Sequence, residues 1–268
     1  MEATVEAEEY QQYGYRWVVL LVYGLVLAVQ AFLWISFAPI ESSVEEVLGV
    51  SETLVRLLAL IGPVMFVFLG SYAGELSDRR GFKFAVSLGA IIITVFGIIR
   101  AIVPHVIDSG DAQYWIILVC QAVIGAGAVF ILVNLSKMPI KWFREENRAT
   151  AIGLATLFFY LGTAIGIPLV NALAGIPEET TDVAVMSAGM NRVLWVTAAI
   201  MAVVTILFIL FTKENPPTPS GPVPEEAKLG IWEALKRFMS LPTFRALALV
   251  SLIGYGVYIG GWNKGGIR

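Results

Sequence analysis

Six long apolar segments constrain the fold of this chain more than any other feature. They run roughly over residues 16–40, 53–73, 82–103, 114–139, 149–173 and 193–211. Each supplies the roughly 20 apolar residues that are needed to cross a bilayer. Because backbone groups in hydrocarbon must be satisfied within the segment, each is predicted to be a helix. With 57% hydrophobic and only 15% charged residues, the composition excludes a soluble domain. The sequence therefore predicts an all-α, multi-pass membrane protein in a lipid bilayer.

The apolar segments divide the chain into four regions. Residues 1–15 are polar and acidic and are predicted to form a cytoplasmic tail. Residues 16–211 form the predicted six-helix bundle. Residues 212–242 read as a proline-rich linker that contains a short amphipathic helix, and residues 243–268 hold one further apolar helix.

The polar stretch between the second and third segments fixes the predicted orientation. It runs from Gly74 to Lys83 and carries five charges in ten residues, so it is predicted to be a tight aqueous turn. Short loops rich in Lys and Arg remain in the cytoplasm. With this turn inside, thirteen of the eighteen Lys and Arg residues lie on the inner side. Arg56, Arg100 and Arg192 are assigned to the outer side. We therefore expect a cell-membrane protein whose N-terminus is cytoplasmic.

The same stretch resembles the signature G-x-L-x-D-R-x-G-x-[R/K] of the major facilitator superfamily. The matching residues are Gly74, Leu76, Asp78, Arg79, Gly81 and Lys83. The resemblance implies that this turn helps to lock the cytoplasmic side in one conformation. Arg148, at the start of the fifth segment, is expected to contribute to this gating by pairing with the turn.

The resemblance also implies the architecture. It predicts the major facilitator fold, in which the six-helix N-terminal bundle consists of two three-helix inverted repeats. The linker and the seventh helix would then begin a second bundle. Since the residues after Gly260 resemble neither a helix nor a loop of that bundle, we expect a truncated chain whose C-terminal half is missing. The full-length protein is expected to be a monomer.

A narrower resemblance is to the FLVCR branch, the feline leukaemia virus subgroup C receptor-related transporters. It is carried by residues 30–40, 121–143 and 161–166. Members of that branch are described as carriers of choline and ethanolamine, and earlier of haem. The resemblance implies a carrier that moves a small organic cation by alternating access.

Five residues are the candidate substrate contacts. By resemblance, Trp34 and Tyr255 match the cavity Trp and Tyr of the FLVCR branch, and each ring face would hold an ammonium group with about 1–2 kcal/mol. Tyr160 stands where that branch carries a Gln, so it adds a ring and weakens recognition of a hydroxyl tail. Gln30 and Gln121 are further candidates, although each fits a helix–helix hydrogen bond equally well. The alternative for Trp34 is a packing or lipid-facing role.

Small residues in the fifth segment predict close helix packing. Gly162 and Gly166 form a small-xxx-small face, which lets two helix backbones approach each other.

In this chain we expect the cavity-facing sides of segments one, two, four and five to be uncovered, with Gln30, Trp34 and Tyr160 on those faces.

Two function classes remain open from the sequence, a carrier and a non-transporting membrane receptor or scaffold. The signature at residues 74–83 favours the carrier of a small-molecule substrate. The sequence has no Ser/His/Asp set, phosphate loop or metal-ligand cluster, so no enzyme, cofactor, metal site or nucleic-acid partner is expected. Haem or another metabolite is the alternative substrate, but His105 and Cys120 are isolated and offer no ligating pair.

Overall fold

The computed structural model describes residues 10–177, 179–222 and 231–262. The side chains of residues 231, 232, 234, 235 and 255–262 lie outside that description. The chain divides into two compact units, Met1–Val223 and Pro224–Arg268, and each is described by itself.

The first unit is a helical bundle with six stretches that are long and apolar enough to cross a membrane. Its helices are α1 Arg16–Trp34, α2 Glu41–Leu48, α3 Glu52–Arg80, α4 Phe82–Val106, α5 Gly110–Leu132, α6 Lys137–Trp142, α7 Glu145–Ala174 and α8 Val183–Phe211. A 3₁₀ turn, Ala38–Ile40, precedes α2. The first span comprises α1 and α2, and the fourth comprises α5 and α6. The all-α fold is as predicted.

Two of the spans are interrupted at related positions. The first breaks over residues 35–37 and the fourth over residues 133–136, where the sequence predicted continuous helices. Pro39 and Pro139 have no N–H. The carbonyls of residues 35 and 135 therefore lack the donor that a continuous helix would supply four residues later in the chain. The two spans run in opposite directions, so the breaks lie at opposite faces of the bundle. This is the arrangement expected of two inverted three-helix repeats.

The cores form where the spans pack against one another. Helix α1 packs against α7 and α8, α4 packs against α5 and α8, and α3 packs against α5. The Tyr23 hydroxyl is buried and donates to the Ile131 carbonyl at 2.8 Å, which joins α1 to α5. The Tyr114 hydroxyl donates to the Leu54 carbonyl at 2.9 Å, which joins α5 to α3.

Coverage differs sharply between the spans. Within their most apolar stretches, 67% of the first span and 56% of the fourth are buried, against 11% for α3 and 17% for α7. The cavity-facing sides of segments one and four were expected to be uncovered, but most of each segment is buried, because α1 and α5 each lie between neighbouring helices. The uncovered apolar side chains belong mainly to α3 and α7, as at Val67, Phe68 and Ile165.

The α1–α7 contact depends on small residues. A Cβ atom on Gly162 would overlap the Ala28 carbonyl, and one on Gly166 would lie 2.9 Å from Phe32 Cδ2. Both glycines thus face α1, and their missing side chains set how closely the two helices approach.

Gly162→Ala should therefore destabilise the bundle by about 1–3 kcal/mol, because the added methyl has no room against Ala28. The matched control is Gly153→Ala on the same helix, where no atom lies within 4 Å of the added Cβ. That change should leave stability unchanged or raise it by about 0.4–1 kcal/mol. Thermal unfolding in detergent measures both, and equal midpoints for the two variants would contradict the packing described.

The second unit contains α9 Ile231–Ser240 and α10 Pro242–Trp262. The rings of Phe238 and Phe244 stack at 5.2 Å across the junction. The Leu241 N–H donates to the Phe238 carbonyl at 3.0 Å and closes the turn between the helices.

Candidate functional site

The signature residues lie at one end of the bundle, which we call the motif face. Helix α3 continues to Arg80 and α4 begins at Phe82, so Gly81 alone connects them. The sequence predicted a longer turn from Gly74 onwards. The helix persists because charged side chains in water leave its backbone hydrogen bonds intact, so the apolar pattern ends before the helix does. Gly81 has φ +92°, a backbone conformation that favours glycine.

Glu214, just after α8, binds the start of α4. Its two carboxylate oxygens accept from the N–H groups of Phe82 (3.1 Å) and Lys83 (2.7 Å). It also forms an ion pair with Lys141. A Cβ atom on Gly81 would lie 2.5 Å from this carboxylate. A carboxylate in this position satisfies helix N-terminal donors and the helix dipole.

Glu214 was not among the predicted site residues, because it lies in the predicted linker, 212–242. The available signal was a single carboxylate directly after the last apolar residues of the sixth span, on the side of the bundle where Lys and Arg concentrate.

Asp78 ties the end of α3 to the link between α5 and α6. It forms an ion pair with Lys137, whose Nζ also donates to the Gly74 carbonyl at 2.9 Å. Next to Asp78 on α3, the buried Ser77 hydroxyl donates to Asn134 Oδ1. Around Gly74 itself no atom lies within 4 Å of an added Cβ, so its carbonyl, and not its small size, makes the contact in the described structure.

Arg79 and Arg148 make their contacts away from Asp78. Arg79 pairs with Glu75 at 2.5 Å, and both side chains are exposed. Arg148 does not pair with the 74–83 turn in the described structure. Its Nε donates to the Phe143 carbonyl (3.2 Å) and its Nη2 to the Pro222 carbonyl (2.7 Å). Arg148 therefore holds the segment after α8, and Lys137 takes the position beside Asp78.

Replacing Glu214 by Ala should unlock the start of α4. Loss of the two N–H acceptors should cost about 0.5–2 kcal/mol, as for other helix caps, and should speed amide hydrogen exchange at Phe82 and Lys83. As a control, Glu75→Ala removes only the exposed pair with Arg79, which contributes about 0–1 kcal/mol. Exchange mass spectrometry compares the two, and unchanged protection of these amides in the Glu214 variant would refute the cap.

Trp34, the candidate cavity aromatic, is fixed by a backbone hydrogen bond. Its Nε1 donates to the Ala59 carbonyl of α3 at 2.8 Å. That carbonyl lacks its helical donor, because residue 63 is a proline and has no N–H. An added Cβ on Gly62 would lie 3.6 Å from the indole nitrogen, and one on Gly125 would lie 2.7 Å from Gly62 Cα. The indole is therefore held where α1, α3 and α5 converge, and it remains partly exposed.

A double-mutant cycle tests this link. Trp34→Phe removes the donor and leaves the Ala59 carbonyl unsatisfied, which should cost about 1–3 kcal/mol. Pro63→Ala restores the missing N–H on α3, so Trp34→Phe should cost clearly less in that background. Unfolding midpoints of the four proteins measure the coupling, and strict additivity would rule it out.

The two candidate glutamines are buried. Gln30 is 5% exposed, and its Oε1 has no partner among the described residues. Gln121 accepts at Oε1 from Arg100 Nη1 at 2.6 Å. Its carbonyl end is thus used between helices. Neither glutamine contacts Tyr160 or Trp34 by a hydrogen bond in the described part of the chain.

Arg100 is a buried cation that the sequence analysis misplaced. It was assigned to the outer side, but it lies inside α4 with no exposed surface. Its guanidinium group lies 5.0 Å from the Phe37 ring centre, and its Nε and Nη2 have no partner in the described structure. Arg100 lies within the predicted third segment, 82–103, and its position near the outer end of that segment led to the assignment. The helix continues for six more residues to Val106.

Tyr160 is not in contact with Trp34 in the described structure. Tyr160 is 59% exposed and packs edge-on against Phe159 at 5.6 Å. Because it is two residues from Gly162, it lies on roughly the opposite side of α7 from the α1 contact. Tyr255 belongs to α10, but its side chain lies outside the described residues.

The proteins that this chain is similar to agree with this architecture. Residues 11–262 match the family model described as Major Facilitator Superfamily. The Solute carrier family 49 member 4 homolog of Xenopus tropicalis is 26% identical over 260 residues, which are 94% of this chain and 56% of that protein. The Choline/ethanolamine transporter FLVCR1 of Mus musculus is 27% identical over 268 residues, covering 91% of this chain and 45% of that protein.

A solved structure shows the same fold. It is a bacterial homolog of the human lysosomal transporter Spinster, in an inward-facing and unoccupied conformation, with a TM-score of 0.68 and 19% identity. The match covers 92% of this chain and 55% of that chain. The chain spans about half the length of the curated relatives it matches.

Proposed function

This chain belongs to the major facilitator superfamily, and from that premise we propose that it provides one substrate-binding half of a carrier for a small organic cation. The proposed substrate class is an amine of the choline or ethanolamine type. The chain is a multi-pass membrane protein that resembles the FLVCR branch, and its family points to a transporter of small molecules and not to an enzyme.

The observation that carries the substrate proposal is the fixed indole of Trp34. Its N–H bond to Ala59 orients the ring while part of the side chain stays accessible. An ammonium group over a Trp face gains up to about 2 kcal/mol when it is desolvated. The relatives named choline/ethanolamine transporters support an ammonium substrate. Tyr160 and Tyr255 remain proposed second and third rings, and Gln30 and Gln121 remain proposed polar contacts.

Arg100 restricts where such a cation binds. Its charge lies next to Phe37, three residues beyond Trp34 and therefore further from the motif face. At about 10 Å and an effective dielectric constant of about 20, two like charges repel by about 1.7 kcal/mol. A cationic substrate should therefore bind on the motif-face side of Trp34.

The motif face supplies the proposed gate. The Asp78–Lys137 pair and the Glu214 cap join α3, α4 and the link between α5 and α6 at one end of the bundle. In alternating access, the uncovered sides of α3 and α7 would meet a second bundle, and opening the motif face would break or move these contacts. With Arg100 buried in α4, the Lys and Arg distribution still supports a cytoplasmic location for this face.

Ligand binding by the reconstituted protein tests the cation proposal. Choline should bind better than its neutral isostere 3,3-dimethyl-1-butanol, and Trp34→Ala should weaken choline binding about tenfold while leaving the isostere unchanged. Trp34→Phe should weaken it less. To preserve the fold, both changes are made in the Pro63→Ala background. Trp115→Ala, an exposed tryptophan of α5, is the control. Equal losses for the cation and the isostere would sink the proposal.

A further inference from the structure

Three segments converge on the motif face away from the proposed substrate site. They are the N-terminal segment (residues 10–16), the junction of α6 and α7 (residues 142–148) and the strap (residues 212–222). Tyr13 and Thr218 share a hydroxyl hydrogen bond of 3.0 Å, and the Tyr15 and Trp142 rings lie 6.1 Å apart. Arg148 donates to the Pro222 carbonyl at 2.7 Å. Each segment is thereby connected to another.

Several buried side-chain hydrogen-bonding groups in this region have no partner in the described part of the chain. Nine buried side-chain polar atoms lack a partner in the described part of the chain, and five belong to this convergence. They are Gln12 Nε2, Arg16 Nε, Trp142 Nε1, Thr212 Oγ1 and Ser220 Oγ. The side chains of Trp142, Thr212 and Ser220 are at most 2% exposed. A buried polar group without a partner lowers the stability of the fold, so five of them in one region call for an explanation.

The unused capacity is almost entirely for donation. Arg and Trp nitrogens have no acceptor function, and hydroxyl and amide groups can donate. Arg16 lies against the rings of Trp17 (5.5 Å) and Phe143 (5.9 Å), which hold its guanidinium group in place. A guanidinium group that retains a free edge is suited to an oxyanion.

Cations lie close to this cluster, together with Glu145 and Glu146, which are exposed at the start of α7. The Lys213 ammonium lies 5.2 Å from the Tyr15 ring centre. An added Cβ on Gly221 would lie 3.6 Å from Arg148 Nη2 and 4.0 Å from Arg144 Cα. The carboxylate of the strap, Glu214, is already occupied by Lys141 and the start of α4.

The depth of the cluster indicates the source of the oxyanion. Arg16 begins α1, Trp142 ends α6 and Thr212 directly follows α8. All three therefore mark the ends of membrane spans, where Trp, Tyr and basic residues meet lipid headgroups. We propose that the N-terminal segment, the α6–α7 junction and the strap together bind a phosphate group, supplied by an anionic phospholipid of the surrounding membrane. A bound phosphate would join the strap to α1 and so reinforce the Glu214 cap on α4. This goes beyond the proposed transport function and does not depend on the substrate.

The test uses the full chain in nanodiscs of phosphatidylcholine, with or without phosphatidic acid, and in phosphatidylcholine with inorganic phosphate at matched ionic strength. The readout is the thermal unfolding midpoint as a function of added lipid or phosphate. Trp142→Phe keeps the ring against Tyr15 but removes the N–H, and Arg16→Lys keeps the charge but removes Nε. Arg80→Gln, which removes an exposed cation from the same face, is the control for general charge effects.

Phosphatidic acid should raise the midpoint of the wild-type protein and of Arg80→Gln. Each of the two site variants should need about tenfold more lipid for the same rise. A response to phosphatidic acid alone identifies a headgroup, and a response to inorganic phosphate as well shows that the phosphate group itself is recognised. The proposal is overturned if Trp142→Phe and Arg16→Lys respond like the wild type, or if Arg80→Gln loses as much.

The chain's own carboxylates provide the last comparison. Replacing Glu8, Glu9, Glu225 and Glu226 by Gln together should leave the response to phosphatidic acid intact. The phosphate site is refuted if two results occur together: this variant has a lower unfolding midpoint in phosphatidylcholine, and phosphatidic acid does not change the midpoint of the wild-type protein. The donors would then bind the chain's own acidic residues.

Discussion

The carbonyl of Ala59 shows the constraint on which the rest of the bundle depends, because a backbone acceptor inside hydrocarbon must find a donor within the protein. Pro63 withholds the helical N–H, and the indole of Trp34 supplies a substitute from another span. The same requirement operates at the two interrupted spans. The Ser36 hydroxyl donates to the Leu33 carbonyl, and the Asn134 amide donates to the Phe130 carbonyl. At these three positions, polar side chains donate to backbone carbonyls where the helical hydrogen bonding is interrupted.

The hydrogen bond to Ala59 gives Trp34 a structural role as well as its proposed role in substrate binding. Trp34 is at once a backbone partner and a partly exposed ring, so packing and ligand binding are two uses of one side chain. The N–H bond restrains the ring that would face a substrate. A ring fixed in advance loses little conformational entropy on binding, which favours affinity. Conversely, Arg100 shows that a buried charge in this bundle can be held by one amide and one aromatic ring, without a carboxylate partner in the described residues.

The sequence was sufficient for the features that depend on length and composition. Apolar runs of sufficient length required helices, so the six spans and the all-α fold were predictable. The positions of Gly162 and Gly166 also followed from a local pattern. Partner identity was not predictable, because it depends on contacts between residues that are distant in the chain. Lys137 instead of Arg148 beside Asp78, and Glu214 against Phe82, are decided by how the helix ends meet. The burial of Arg100 was not predictable for a related reason, since hydropathy does not record which side of a helix faces its neighbours.

The Glu214 contact also has a consequence for how the protein is made. Its carboxylate reaches an amide that lies 131 positions earlier in the chain. At about 5–20 residues per second, a ribosome needs roughly 7–26 seconds to add that many residues. During this interval the third span must be inserted with its first amides uncapped, and Gly81 alone separates it from the second span. Completion of the signature turn therefore awaits synthesis of the sixth span, which makes this turn a late event in the biogenesis of the bundle.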